Sequence, residues 1–574
     1  MSDSANIAQH LPLMARRQPD AAALKIPRGR TRERHIDYLT LSFAELDRET
    51  DAWVERLVQN NVQPGDRVLL MVKQGLPLIA AAFALFKHGA VPVVIDPGMG
   101  MKNFLSCVER SQPRVLLGIP LAQIISRIFR GSFRSVRIRI ATSARATHRL
   151  AAGGASVGTR PPISRSSTDL AAILFTSGST GAPKGVCYEH GMFAAQVEAI
   201  RETYGIQPGE IDLPMLPIFA LFNPALGMTT IVPEIDPRRP AQVDPEKIVQ
   251  AILQENVTNS FGSPTLWRKI GTYCIEKHVT LPSVKRVLCA GAAVPDSLWR
   301  DAAKFLPNGR LFSPYGATEA LPISSVGAAQ IEAERTARAG ADWPGACLGR
   351  PIAAADVRII ALTDGPIISM DEAGVLPPGQ IGEIVVTGPM VTKYYDALPQ
   401  ATTLAKIPEK RLAEPRSAGL DTGPQVQLLR ELRSARVWHR MGDCGMLDER
   451  GVLWFLGRKV ERVLTEDGVL FTEPCERVFR AVEGVHRCAL IGLGQAPRQN
   501  PALVVEPVVA TLGDEGKRAL AARLREVGRA SVVTGPIQLF FFHSDFPVDV
   551  RHNAKIHRLT LTKWAVNQKA IKLP

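Results

Sequence analysis

The densest chemistry in this 574-residue chain lies in ten residues, Thr176-Ser177-Gly178-Ser179-Thr180-Gly181-Ala182-Pro183-Lys184-Gly185. They follow an apolar run, Ala171 to Phe175, that reads as a strand. A loop of Gly, Ser and Thr leaving a strand can wrap phosphates: glycine lets backbone N–H groups come close, and hydroxyls add donors. Lys184 adds a compact positive charge. The loop is not of the Walker A type, because Pro183 stands where that loop carries its second Gly. A second group is Tyr315-Gly316-Ala317-Thr318-Glu319. A π-face suits a nucleic base, and a carboxylate suits a hard cation that bridges phosphates. Alone, this pentapeptide does not identify a nucleotide site. No Ser-His-Asp or Cys-His arrangement stands out, so a covalent acyl-enzyme is not expected.

The elements that must position these groups alternate strand and helix. Phe43 to Gln59 has helical spacing, Asp66 to Met71 reads as a strand, Leu78 to Lys87 as a helix and Val91 to Ile95 as a strand. The rhythm continues at Val257 to Phe261 and Val284 to Cys289, which predicts an α/β layer architecture of mixed parallel sheets with helices. After Ile352 short strands and Gly turns dominate, at Val357 to Ala361, Gly382 to Thr387 and Val452 to Leu456, and predict a β-rich subdomain. Beyond Gly457-Arg458 a helix near Glu473 to Val482, a strand near Cys488 to Ile491 and a helix near Gly516 to Val527 predict a small α+β domain. The expected division is therefore 1–457 and 458–574. Residues 401 to 436 mix Pro, Gly and charge and read as a long loop. Residues 150 to 168 read as a linker.

Charge is uneven along the chain. There are 69 Lys+Arg against 55 Asp+Glu, a formal net charge of +14. From Arg110 to Thr168 there is no acidic residue, and the stretch carries eleven arginines. The basic surplus is thus a local face, and nucleic-acid binding is not expected, because no basic motif interleaved with aromatics appears. Pro120 to Phe133 mixes apolar and basic residues at helical spacing, which predicts an amphipathic face for a partner enzyme or an anionic lipid surface. No membrane-spanning run is seen. Met1-Ser2-Asp3-Ser4 does not begin a secretory signal, and eight scattered Cys suggest neither a disulfide framework nor a zinc site. A cytoplasmic setting is expected.

Thr176 to Gly185 resembles the phosphate loop of the adenylate-forming superfamily of acyl-CoA synthetases, luciferases and peptide-synthetase adenylation domains. Further motifs follow in that family's order over nearly the whole chain. The resemblance implies ATP and Mg²⁺ as cofactors. It implies that Tyr315 stacks on adenine, that Thr318 contacts the α-phosphate and that Glu319 helps hold Mg²⁺, with Gly316 and Ala317 between them. Gly291-Ala292-Ala293 resembles the adenine-contact turn. Trp438-His439-Arg440-Met441-Gly442-Asp443 resembles the stretch whose Asp binds the ribose hydroxyls, here with Met441 where Thr is usual. Gly457-Arg458 resembles the entry to a hinge, with Arg458 near ribose or phosphates and Val460 where Asp or Lys is usual. Phe546 to Ile556 resembles the C-terminal loop whose Lys, here Lys555, reaches the site during adenylation. That implies a mobile C-terminal domain.

Asp549-Val550-Arg551-His552-Asn553-Ala554-Lys555, Asn6 to Leu11 and Pro377 to Glu383 further resemble the β-lactone-forming branch of bacterial long-chain olefin biosynthesis. This implies 2-alkyl-3-hydroxyalkanoic acids as substrates, a cis-β-lactone, AMP and pyrophosphate as products, and assembly with other olefin-pathway enzymes. A long-chain acyl-CoA synthetase shares every nucleotide motif and stays open as the alternative. Phe219, Leu221, Phe222, Leu226 and Met228 are candidates to line an alkyl pocket, with Ala220 where many relatives carry a gating His.

Overall fold

The computed structural model describes all residues except 1–4, 143–159, 177–181, 237–241, 338–343, 412–430, 433 and 549–555. The helix Phe43–Gln59 starts at a capping box: the Ser42 side chain accepts from the Glu45 backbone, and Glu45 reaches back to the Ser42 N–H. Two otherwise orphaned donors are satisfied there, which sets the helix start.

Two large sheets carry the site. In the first, the strands Ile138–Ala141, Val115–Gly118, Arg67–Met71, Val91–Ile95 and Leu170–Thr176 run parallel, and Lys184–Glu189 closes the edge antiparallel. The second contains fourteen strands among the described residues. A parallel block of Thr229–Ile231, Ile211–Pro214, Asn259–Gly262, Arg286–Cys289 and Arg310–Ala317 passes into an antiparallel stretch that includes Ala320–Gly327, Leu453–Arg458 and Val437–Leu447. Val115–Gly118 and Val91–Ile95, inside the first sheet, are mostly buried apolar runs, as a sheet covered on both faces requires. The α/β class expected from the sequence is borne out. A four-stranded sheet of Val485–Leu493, Asn500–Pro507, Leu539–Phe542 and Ile571–Lys572 has apolar cores on both faces, around Phe479, Leu520 and Leu524 and around Phe546 and Leu561.

The loop expected over 401 to 436 needs correction at its start. Pro399–Ala405 is a helix, and Lys406–Pro408 is a strand paired with Val437–Leu447. Of the linker expected at 150 to 168, residues 160–168 are held down: Asn6 Nδ2 donates to Ile163 O at 2.9 Å, and Ala5 N to Arg165 O at 2.8 Å. All eight cysteines are buried free thiols. Among the described residues no helix is long and apolar enough to cross a membrane.

Candidate nucleotide and acid site

Lys184 pairs with Thr176 across the antiparallel strands Leu170–Thr176 and Lys184–Glu189. Ser177, Gly178, Ser179, Thr180 and Gly181 lie outside the described residues, and only the backbone of Thr176 is described. Lys184 Nζ lies 5.0 Å from the ring centroid of Tyr395, a distance at which an ammonium is attracted to a π-face. The Tyr395 hydroxyl donates to Glu319 Oε1 at 2.8 Å. Lys184 and Glu319, far apart in sequence, thus meet around one buried tyrosine. Burial, and then the Glu319 carboxylate, push the Tyr395 phenol far above its ordinary pKa, so it remains a donor.

Thr318 and Glu319 form the two-residue turn between Arg310–Ala317 and Ala320–Gly327, where Ala317 pairs with Ala320. A Cβ at Gly316 would lie 2.6 Å from Ala320 O, so the tight crossing needs glycine. The backbone of the turn is clamped. Tyr188 donates its hydroxyl to Thr318 O. Thr392 donates to Glu319 O from its N–H at 2.9 Å and from its hydroxyl at 3.1 Å. Behind Thr392 stands Lys406, fully buried, whose Nζ donates to Thr392 O and, at 3.1 Å, to Thr392 Oγ1. Burial pulls the Lys406 pKa down to about 7. Tyr395, Thr392 and Lys406 are the residues sequence reasoning missed.

A second cluster joins three of the expected residues. Asp443 and Arg458 face each other across paired strands, with Arg458 Nη1 2.8 Å from Asp443 Oδ1. The Tyr315 hydroxyl donates to Asp443 Oδ2 at 2.6 Å. The Asp443 charge, opposed by burial, holds Arg458 above its ordinary pKa. Gly291, with φ of +98°, Ala292 and Ala293 form the partly exposed loop after Arg286–Cys289, whose neighbouring strand carries Tyr315.

Lys555 lies outside the described residues. The flanks of its loop meet in a bridge between Val548 and Ile556. Just downstream, Arg558 binds Glu476 through two hydrogen bonds of 2.7 Å and Glu461 at 3.0 Å. The segment after Arg458 is held as well. Lys459 Nζ reaches Glu383 at 3.0 Å, and Arg462 reaches Asp364 at 3.0 Å, while Val460 points outward at 46 % exposure.

An apolar cavity of about 50 Å³ is lined by Phe219, Phe222, Leu226, Met228 and Phe261, among others. Phe219 stacks on Phe261 with centroids 3.8 Å apart. Leu221 is not among the lining residues; it packs against the core. Ala220 is buried. The cavity wall has a polar patch, Asp212, which accepts from Asn223 Nδ2 at 2.9 Å and Asn259 Nδ2 at 2.6 Å. Burial raises the Asp212 pKa to about 6.

The paired strands Leu170–Thr176 and Lys184–Glu189, a clamped Thr-Glu turn and a Tyr-Asp-Arg cluster thus bring together residues far apart in the chain. Residues 13–396 match the AMP-binding enzyme family, and the chain belongs to it. It is an AMP-forming ligase, as the resemblance in its motifs implies. Among curated relatives it is 41 % identical to the olefin beta-lactone synthetase of Xanthomonas campestris pv. campestris, over 99 % of both chains. It is also 41 % identical to that of Stenotrophomonas maltophilia, over 98 % of this chain and 99 % of the relative. The ATP-bound MatB of Rhodopseudomonas palustris has the same fold, with a TM-score of 0.73 at 21 % identity, covering 98 % of this chain and 99 % of that one.

Proposed function

We propose that this enzyme adenylates a long-chain 2-alkyl-3-hydroxyalkanoic acid with ATP and closes it to a cis-β-lactone, releasing pyrophosphate and AMP. The observation that carries this reading is the 41 % identity to olefin beta-lactone synthetases over essentially the full length of both chains. In the first step a carboxylate oxygen attacks the α-phosphorus, and the bond to the β-phosphate breaks. Charge grows on the phosphate oxygens, so positioning and electrostatics dominate catalysis. Lys184, the turn residue Thr318 and Lys555 supply donors there, and the backbone and hydroxyls of Thr176 to Gly181 wrap the phosphates. Tyr315 and the Gly291-Ala292-Ala293 turn flank the base, and Asp443 and Arg458 take the ribose. In the second step the substrate's own β-hydroxyl oxygen attacks the acyl carbon and AMP leaves.

Glu319 would hold Mg²⁺. Among the described residues no group of three or more His, Cys, Asp or Glu could form a protein cage. A single carboxylate steadied by Tyr395 fits a magnesium ion carried mainly by phosphates. Bound there, the ion neutralises charge on the phosphates. We assign residues 1–457 to the nucleotide-binding body and 458–574 to a small mobile domain carrying Lys555. Because the nucleophile enters with the acid, that domain need not swing to admit a second substrate. The enzyme works alongside other olefin-pathway enzymes. The test is incubation with ATP, Mg²⁺ and a 2-alkyl-3-hydroxy acid, with and without CoA, and identification of the products by NMR. The reading requires a β-lactone without CoA; a CoA-dependent thioester would replace it with acyl-CoA synthesis.

A further inference from the structure

The helix Pro120–Ile128 leaves most of its large apolar side chains in the open. Its buried residues are Ala122, Gln123 and Ser126. Gln123 Nε2 donates to Ile140 O at 3.1 Å, which fixes that polar face against the sheet. Of its large apolar side chains only Ile125 packs against the core; Leu121 is 59 % exposed, Ile124 52 %, Ile128 67 % and Phe129, just past the helix, 37 %. Scattered exposed apolar residues are ordinary, but three on one short helix with a fourth just past its end mark a contact surface. Arg127, Arg130, Arg134 and Arg137 are exposed beside them. Arg134 meets a carboxylate only at 4.0 Å, that of Glu109, and the other three have none among the described residues.

We propose that this face docks on an anionic phospholipid surface, with Leu121, Ile124, Ile128 and Phe129 in the acyl boundary and the arginines against the headgroups. Charge decides the occupant. A second copy related by a two-fold axis would set the same arginines against each other. Residues 143–159 contain Arg145 and Arg149 and no acid, so their sequence is repelled by the same face. A lipid surface supplies an apolar layer beneath a negative one, which matches an apolar ridge with a basic collar. The helix begins at the carboxyl end of the strand Val115–Gly118, three strands from Leu170–Thr176 in the same sheet. At the usual strand spacing that is about 14 Å from the phosphate hairpin, on the same sheet edge. The proposal does not depend on which acid is activated.

The test is flotation of the full-length protein with phosphatidylcholine vesicles, with and without phosphatidylglycerol. Binding to the anionic vesicles only, weakened by salt, is expected. Arg127→Gln with Arg130→Gln should weaken it about 25-fold, near fivefold per arginine. Ile124→Gln with Ile128→Gln should weaken it at least tenfold, with ATP–pyrophosphate exchange of both variants unchanged because neither pair touches the site. Equal binding to both vesicle types, binding untouched by either pair, or loss of a protein complex in place of vesicle binding would overturn the proposal.

Discussion

Replacing Lys406 by Met tests the buried frame behind the Thr-Glu turn. The two side chains are of similar length, so the change removes a buried ammonium with little change in volume. In the folded protein burial lowers the Lys406 pKa from 10.5 to about 7. Between those values the unfolded chain binds more protons than the folded one, so stability rises with pH across that window. Integrating that difference from pH 7 to pH 9 gives a gain of about 2 kcal/mol that the Met variant lacks. The assay is thermal unfolding of both proteins at several pH values in that range. The stability of the natural protein should climb relative to the variant as pH rises. At pH 7 the variant also leaves Thr392 O without its ammonium donor, which loosens the turn holding Glu319 and should raise the Mg²⁺ concentration needed for ATP–pyrophosphate exchange. Parallel unfolding curves with unchanged Mg²⁺ dependence would refute the reasoning, because they would mean that Lys406 titrates as it does in water.

Tyr315→Phe removes the hydroxyl that donates to Asp443 and should raise the KM for ATP about tenfold, in line with a lost hydrogen bond to a charged group, while kcat changes little; steady-state pyrophosphate release measures it. Asp212→Asn removes a carboxyl whose folded pKa of about 6 exceeds its ordinary 3.8. The native protein binds the extra proton between those values, so its stability falls as pH rises from about 4 to about 6, by up to ~3 kcal/mol, and the Asn variant should lose that slope in melting experiments. Arg558→Met strands the Glu461 and Glu476 carboxylates and should destabilise the protein by about 3–5 kcal/mol. Adenylation should suffer too, since Arg558 anchors the downstream end of the Lys555 loop, and exchange kinetics together with melting would show both effects.

The strand Leu170–Thr176 was legible because Ala171 to Phe175 is an unbroken apolar run. The helix Phe43–Gln59 was legible because its spacing is regular and its start is capped locally. Lys406 was not. Within Leu404-Ala405-Lys406-Ile407 a lone lysine reads as solvated, and only pairing with a strand thirty residues on, with Lys406 opposite His439, buries it. Tyr395 and Thr392 acquire their roles through Glu319, more than seventy residues away. The Asp212, Asn223 and Asn259 cluster is likewise assembled from separate elements. The spacing of Pro120 to Phe133 predicted an amphipathic face, but the helix stops at Ile128, and which side the sheet covers was set by Gln123 and Ser126 turning inward.

The most direct measurement follows the oxygens. The substrate acid carries ¹⁸O in both carboxyl positions and ordinary oxygen in its β-hydroxyl, and the AMP and lactone are analysed by mass spectrometry. Adenylation followed by hydroxyl attack sends one ¹⁸O into AMP, keeps the other in the lactone carbonyl and leaves the ring oxygen unlabelled. Unlabelled AMP with both ¹⁸O atoms in the lactone would show that the hydroxyl, and not the carboxylate, was activated, and would contradict the account.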